Sequence, residues 1–543
     1  MRVPARPRLR MTLVSLTLAL TVAVSLSLAG AQTRTVQALP ASQHHILNCA
    51  SNAQFCTEVY DSESVFGEDV YVGHDEPSVL FYSNRPGSGN HMRYELTLPK
   101  DPPPNPSNGR TYNFELHPAF WFGMALCDTQ SFPEQVSTCT PDSDSNIVDP
   151  AQSAAHPGTA FMEMQFYPPG WVPWPAGVSC DPTRWCAALN IDSLSENPVT
   201  GQVLNPTCAA ITGLEYVNFA FITKNGVPQP NSPPNPVEST INTFTPNPAA
   251  DLFMNSGDRI IVTLYDTAHG LRIDLQDLTT HQSGSMTASA ANGFGQVQFD
   301  PTGTSCVNIP YDFHPMYSTS SEQTRVTWAA HSYNIAFSDE IGHFDFCDNV
   351  DPNSGTCIGN EGSPGDQEPA DGDDFGCFPA SDSLLVQVSG CIGTNSGFDG
   401  VSYQQNAWPD GKNGLHPTPI QFTSPTTGPG NLFNYSRVAF ETDLPRIEQN
   451  TCNRSTGTGC TLIPTTDDNT PAAFYPFYSI TFSQGDCRWE EGANLPHSFN
   501  FGGNAEYGKL LTLTYTGTGG TPITRINDFR NVIPFNPCPD FDF

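Results

Sequence analysis

All sixteen cysteines of this 543-residue chain lie after residue 31, and no other feature limits its fold so strongly. An even count in an exported chain reads as a disulfide framework of up to eight bridges. The leader for export stands in front of them. Arg2, Arg6, Arg8 and Arg10 form a basic head, Met11 to Leu28 is apolar, and Ala29-Gly30-Ala31 follows with small residues. This order predicts a signal peptide over 1–31 and a secreted, extracellular protein starting at Gln32. An uncleaved anchor is the other reading, because the apolar run is nearly long enough to span a bilayer; the small-residue site favours cleavage. Cys49 with Cys56, Cys180 with Cys186 and Cys452 with Cys460 are close enough for small loops, although spacing does not fix pairing. There is no Cys-x-x-Cys, so neither a thioredoxin-like redox pair nor a zinc ribbon is suggested.

The balance of charge excludes some partners. Asp and Glu number 55 against 22 Lys and Arg, and loss of the four leader arginines takes the net charge from −33 to about −37. Such a surface repels phosphate backbones and anionic lipid, so neither nucleic acid nor, after signal cleavage, a membrane is expected as partner. It suits an acidic medium, where carboxylates are neutralised and self-repulsion falls.

Proline (50) and glycine (44) are spread throughout, and long amphipathic helical patterns are scarce. Short alternating runs between turn signals predict a mostly β chain. The best are 161–167, 216–221, 259–265 and 271–275, the last two joined by a His269-Gly270 hairpin turn. They point to antiparallel sheets with one buried and one wet face. Residues 98–110 and 226–238 are Pro/Asn-rich and read as loops or linkers. The organisation expected is a β-sandwich region over 32–338, an acidic Cys-rich insert over 339–400 and a C-terminal β region over 401–543.

Chemistry is most suggestive on the strand at 161–167. Alternation sends Met162, Met164 and Phe166 to a core, and Phe161, Glu163, Gln165 and Tyr167 to the other face. A carboxylate beside an amide makes Glu163 and Gln165 candidate catalytic residues. Tyr167, with Trp171 and Trp174 just downstream, supplies aromatic faces on which sugars stack. An ordinary half-exposed strand carries the same pattern.

The run Glu163-Met164-Gln165-Phe166-Tyr167-Pro168 precedes Ser256-Gly257-Asp258-Arg259-Ile260-Ile261-Val262, then Leu278-Thr279-Thr280 and a Ser-rich tail from Ser283. This order resembles the glutamic peptidases (eqolisins) over about residues 161–290. In that family a glutamate on a Tyr-Glu-Trp-Tyr-Pro-like strand precedes a Gly-Asp-led strand and a Leu-Thr-Thr-Gly-like turn. The resemblance implies an acid-active, concanavalin-like antiparallel β-sandwich, with Glu163 as general acid/base. The family's catalytic glutamine lies on an earlier strand, and no position here matches it; the surroundings of Gln130 do not fit.

Two further clusters carry metal-ligand chemistry. Glu340, His343, Asp345 and Asp348 stand close together, without the two-histidine helical spacing of a zincin. In the insert, Asp348, Asp351, Asn353, Asp371 and Asp373 crowd between Cys347 and Cys377, and calcium, which accepts irregular oxygen-rich loops, is the one cofactor they suggest. A solvated acidic loop is the plainer reading. Asn434 and Asn453 head glycosylation sequons. There is no nucleophile elbow, P-loop or dinucleotide fingerprint. The function expected is binding of an extracellular polymer, carbohydrate or protein. The alternative is a secreted acid-active hydrolase, a glutamic-type peptidase or a glycosidase, working through Glu163. A structural surface protein is the third reading.

Overall fold

The computed structural model describes residues 78–82, 91–100, 111–115, 120–131, 159–169, 180–194, 196–197, 202–212, 215–315, 334–337, 343–347, 361–362, 418, 420–435, 437–443, 466–467, 470–471, 474–476, 478–483, 486–491, 499–500, 504–506, 512–516, 522–526, 528–533 and 538. The signal peptide, Trp171, Trp174, the calcium candidates Asp348, Asp351, Asn353, Asp371 and Asp373, and the pairs Cys49/Cys56 and Cys452/Cys460 lie outside these residues.

Alternation of apolar and polar residues produces the strands. In chain order the main ones are β1 (Ser78–Tyr82), β2 (His91–Thr97), β3 (Phe120–Cys127), β4 (Thr159–Tyr167), β5 (Arg184–Leu194), β6 (Glu215–Phe221), β7 (Met254–Asn255) and β8 (Arg259–Thr267). They continue with β9 (Gly270–Asp277), β10 (Ser283–Thr287), β11 (Asn334–Phe337), β12 (Gln421–Thr423), β13 (Arg437–Asp443), β14 (Tyr478–Ser483), β15 (Asp486–Glu491) and β16 (Asp528–Ile533).

Among the described residues these strands form two large antiparallel sheets. The first runs β7-β5-β4-β3-β11-β1-β13-β16, with β6 also paired to β5. The second runs β10-β9-β8-β2-β12-β15-β14. Strands from early and late in the chain enter both sheets, and Ala38–Phe543 forms one compact unit. The strand His343–Cys347 pairs instead with Thr111–Glu115. The expected hairpin is present: β8 and β9 meet at Thr267 and Gly270, whose φ of 99° needs a residue without a Cβ.

The two sheets face each other across a layer of rings. Tyr94 of β2 stacks on Phe122 of β3 with centroids 4.1 Å apart, and Phe122 meets Phe422 of β12 edge-on at 5.9 Å. Phe81 of β1 meets Trp489 of β15 at 5.6 Å. Met162, Met164 and Phe166 point into this layer, as their alternation predicts, and all three are fully buried. Aromatic pairs of this geometry add to the stabilisation that area burial gives.

The second sheet keeps its far side half wet: along β8, Ile260, Val262 and Leu264 are buried while Ile261, Thr263 and Tyr265 are partly exposed. The first sheet departs from the expected single wet face. The far side of β4 and β5 is covered too, because Phe244 and Phe253 of the following loop pack on it with Tyr167, Phe219 and Phe221. That loop includes the Pro/Asn-rich stretch 226–238. It is pinned by Gln229 Nε2, which donates to the carbonyls of Asn242 and Thr245, both at 2.8 Å, and by Thr243 Oγ1, which donates to Pro233.

Three disulfides have both partners described: Cys180–Cys186, Cys208–Cys306 and Cys487–Cys538. Cys127 is also bridged. No helix among the described residues is long and apolar enough to cross a membrane.

Candidate active site

The covered face of β4 and β5 carries a row of polar groups. Antiparallel register sets Glu163 opposite Asn190, Gln165 opposite Ala188, Tyr167 opposite Cys186 and Phe161 opposite Asp192. Directly opposed residues share a face, so Glu163, Gln165, Tyr167, Asn190 and Asp192 lie on one side of the sheet. On the other flank, β3 sets Gly123 opposite Glu163 and Trp121 opposite Gln165. Gly123 itself brings no side chain to that flank of Glu163.

Hydrogen bonds link these groups in a line. Tyr167 Oη donates to Gln165 Oε1, and Gln165 Nε2 donates to Glu163 Oε2 at 2.7 Å. The two bonds fix the orientation of the amide, since its oxygen meets a hydroxyl donor and its nitrogen a carboxylate. On β5, Asn190 Nδ2 donates to Asp192 Oδ2 at 2.9 Å. Burial, then the charges of Glu163 and Asp192, push the Tyr167 hydroxyl well above its ordinary pKa, so it remains a donor. The Tyr167 ring packs with Phe219 and Phe221, each 6.3 Å away between centroids, and no part of it is exposed. It therefore holds Gln165 in place and offers no open stacking face.

Exposure rises in the same direction along both strands. It goes from 0% at Tyr167 to 3% at Gln165 and 6% at Glu163, and from 0% at Ala188 to 5% at Asn190 and 9% at Asp192. Val217 on β6, opposite Asp192, is also only partly buried. The Cys180–Cys186 bridge packs with Tyr167, and Phe244 packs on Phe219, which pairs with Asn190.

Sequence reasoning placed Glu163, Gln165 and Tyr167 on one face, and the structure brings them together. It missed Asn190 and Asp192. Their signal is visible in Leu189-Asn190-Ile191-Asp192, where apolar and polar residues alternate as they do in 161–167. Gln130 stands apart, its Oε1 accepting from the Phe299 backbone at 2.9 Å. The other motifs of the peptidase resemblance meet one another away from Glu163. Asn255 N and Nδ2 donate to Asp258, Asp277 accepts from the backbones of Thr279 and Thr280, and Arg259 N donates to Thr279 Oγ1. Ser256 accepts from the indole of Trp185 on β5, so this turn ties one sheet to the other.

Among the described residues no three or more His, Cys, Asp or Glu side chains gather as a metal site. No protein-family model matches the chain, and no curated protein matches it.

Proposed function

We propose that the protein is a secreted, acid-active hydrolase of the glutamic-peptidase type on a concanavalin-like β-sandwich, with Glu163 as general acid/base. The observation that carries this is the 2.7 Å bond from Gln165 Nε2 to Glu163 Oε2 on a sheet face nearly closed to water. A polymer-binding platform needs open aromatic faces; a reacting carboxylate needs a fixed donor beside it and little bulk water.

The steps follow from these groups. Glu163 takes a proton from a water molecule as the water oxygen bonds to the scissile carbonyl carbon. The developing oxyanion lies against the second hydrogen of Gln165 Nε2, the first being held by Glu163. Glu163 then gives its proton to the leaving nitrogen as the C–N bond breaks. Gln165 takes the part that the family assigns to a glutamine on an earlier strand, for which no position of this chain matches. The disulfides suit an oxidising exterior, and the acidic balance suits low pH.

The test is digestion of an unfolded protein substrate between about pH 3 and pH 5, a range set by ordinary carboxyl pKa values. Glu163→Gln should reduce kcat by at least about a thousandfold, as loss of an acid/base combined with its charge requires. Full activity in that variant, with wild-type folding by circular dichroism, removes Glu163 from the chemistry.

A further inference from the structure

We infer that the turn over residues 246–251 is a pH-dependent catch on the cover of this face, fastened in acid and released toward neutral pH through Asp251. As control of the candidate site the catch rests on the hydrolase reading; the movement itself does not.

The turn closes the covering loop. Just before it, Phe244 lies on Phe219 with centroids 5.0 Å apart. Asp251 Oδ2 accepts from Asn247 N at 2.6 Å, and the backbone N–H groups of Ala250 and Asp251 both donate to Asn247 O, at 2.9 and 2.8 Å. Among the described residues, 246–250 otherwise bond to the rest of the chain through Lys224 alone. Its N donates to Ala250 O at 2.9 Å, and its Nζ donates to Pro248 O at 2.8 Å. Both flanks are fixed separately. Gln229 Nε2 holds Thr245 O on one side. On the other, Thr223 pairs with Asp251 and with Ser285, Leu252 N donates to Ile222 O at 2.8 Å, and the Arg184 guanidinium lies 4.5 Å over the Phe253 ring. Opening the turn therefore removes the support on the C-terminal side of Phe244 and leaves the sheet intact.

Asp251 is where pH acts. Its side chain is fully buried, and its Oδ1 has no hydrogen-bond partner. Protonated, the group carries no charge. Ionised, it holds a charge that neither water nor a donor meets at Oδ1. The Asn247 N–H and the charge of Lys224 favour ionisation, but burial outweighs them and pushes the carboxyl up to about 7. β7, β10 and residues 246–250 carry no titratable side chain, and Arg184 on β5 faces Phe253 and is paired with Asp181. An open turn lets water reach Oδ1. The hold on the turn is thus complete below the ordinary carboxyl value of 3.8 and is lost as pH rises toward about 7. Within that window each pH unit favours opening about tenfold. Local opening of this kind is a common motion of segments with few ties to the core.

Hydrogen exchange on the full-length protein, read by mass spectrometry, tests the catch. Protection of the Ala250 and Asp251 amides, corrected for the intrinsic rate at each pH, should fall at least about twentyfold from about pH 4.5 to about pH 7. In Asp251→Asn, which has no proton to release, it should change by less than about threefold. Urea at about 1 M should leave the fall unchanged, since a local opening exposes little surface. Should the variant not fold, the wild type decides: its protection should fall by no more than about tenfold per pH unit and level off above about pH 7, as one proton requires. A wild type without the fall, a variant that keeps it, or a fall that urea deepens in step with the amides of β8 overturns the catch. Glu163→Gln should respond to pH as the wild type does. Activity lost there with the response kept supports both readings; activity and response both kept retains the catch and removes the enzyme.

Discussion

Asp128, just after β3, shows how the fold handles a carboxylate that takes no part in the candidate site. Its Oδ1 accepts from Gln130 N at 2.9 Å and Gln296 Nε2 at 2.6 Å; its Oδ2 accepts from Ser193 Oγ at 2.9 Å and Tyr216 Oη at 2.6 Å. Burial pushes its pKa up, and the donors oppose that without cancelling it. The donors differ in kind. The two N–H groups on Oδ1 can only donate, whereas the hydroxyls on Oδ2 can rotate and accept. Asp128→Asn keeps an oxygen for the first pair and offers an N–H to the second, so it should cost about 1 kcal/mol. Asp128→Ala strands all four groups and should cost about 3 kcal/mol or more. Urea unfolding at neutral pH measures both. An alanine variant within 1 kcal/mol of wild type would show that water or repacking replaces the carboxylate.

At the scale of elements, the disulfides separate stability from the site. Cys208–Cys306 spans 98 residues and anchors the helix α1 (Pro206–Thr212), whose first turn is capped by Asn205 Oδ1 accepting from Thr207 N and Cys208 N. Cys180–Cys186 spans 6 residues and packs beside Tyr167. In the chain-entropy account, opening the long loop costs about 4–5 kcal/mol and the short one about 2 kcal/mol. Paired Cys→Ala variants of each bridge, unfolded in urea, should keep that order. Equal losses would mean that native packing around the bridges, and not loop closure, sets their contribution.

The same contrast between local and distant structure decides what could be read from the sequence. Ile260, Val262 and Leu264 alternate in plain view, as do Leu271, Ile273 and Leu275 around the His269-Gly270 turn, so β8 and β9 were legible. Half of the candidate site was legible for the same reason, because Glu163, Gln165 and Tyr167 share one strand. Asn190 was not tied to Glu163, because register between strands depends on pairing across the sheet. The cover was also hidden. A Pro/Asn-rich stretch announces a loop, but nothing local says that Phe244 in the same loop will dock on Phe219, 5.0 Å away between centroids.

At the scale of the whole molecule, several carboxyls are raised above their ordinary pKa by burial. Burial raises Asp128 and Glu490, and burial together with the neighbouring Asp277 raises Asp258. Asp251 is pushed up to about 7 by burial, against a bond from Asn247 N and the charge of Lys224, and its Oδ1 has no partner. A raised carboxyl pKa means that the folded state binds the proton more tightly than the unfolded chain. Its stabilisation is therefore complete below the unfolded value of 3.8 and is lost as pH rises toward the folded value, here about 7. Each pH unit between the two values is worth about 1.4 kcal/mol for a fully effective group. His314, raised by its bond to Asp266, also loses its contribution as pH rises; His91, lowered by burial, works the other way. The carboxyls outnumber His91, and the net charge of −33 adds self-repulsion at high pH. Thermal unfolding should therefore give a higher Tm at about pH 4.5 than at about pH 7.5. Asp251→Asn mimics the protonated carboxyl, with an N–H in place of the O–H. It should leave Tm nearly unchanged at the lower pH and raise it at the higher, flattening the slope between them. A wild type more stable at the higher pH would mean that carboxylates held in their charged form dominate, and would remove the main physical support for a protein that works in acid.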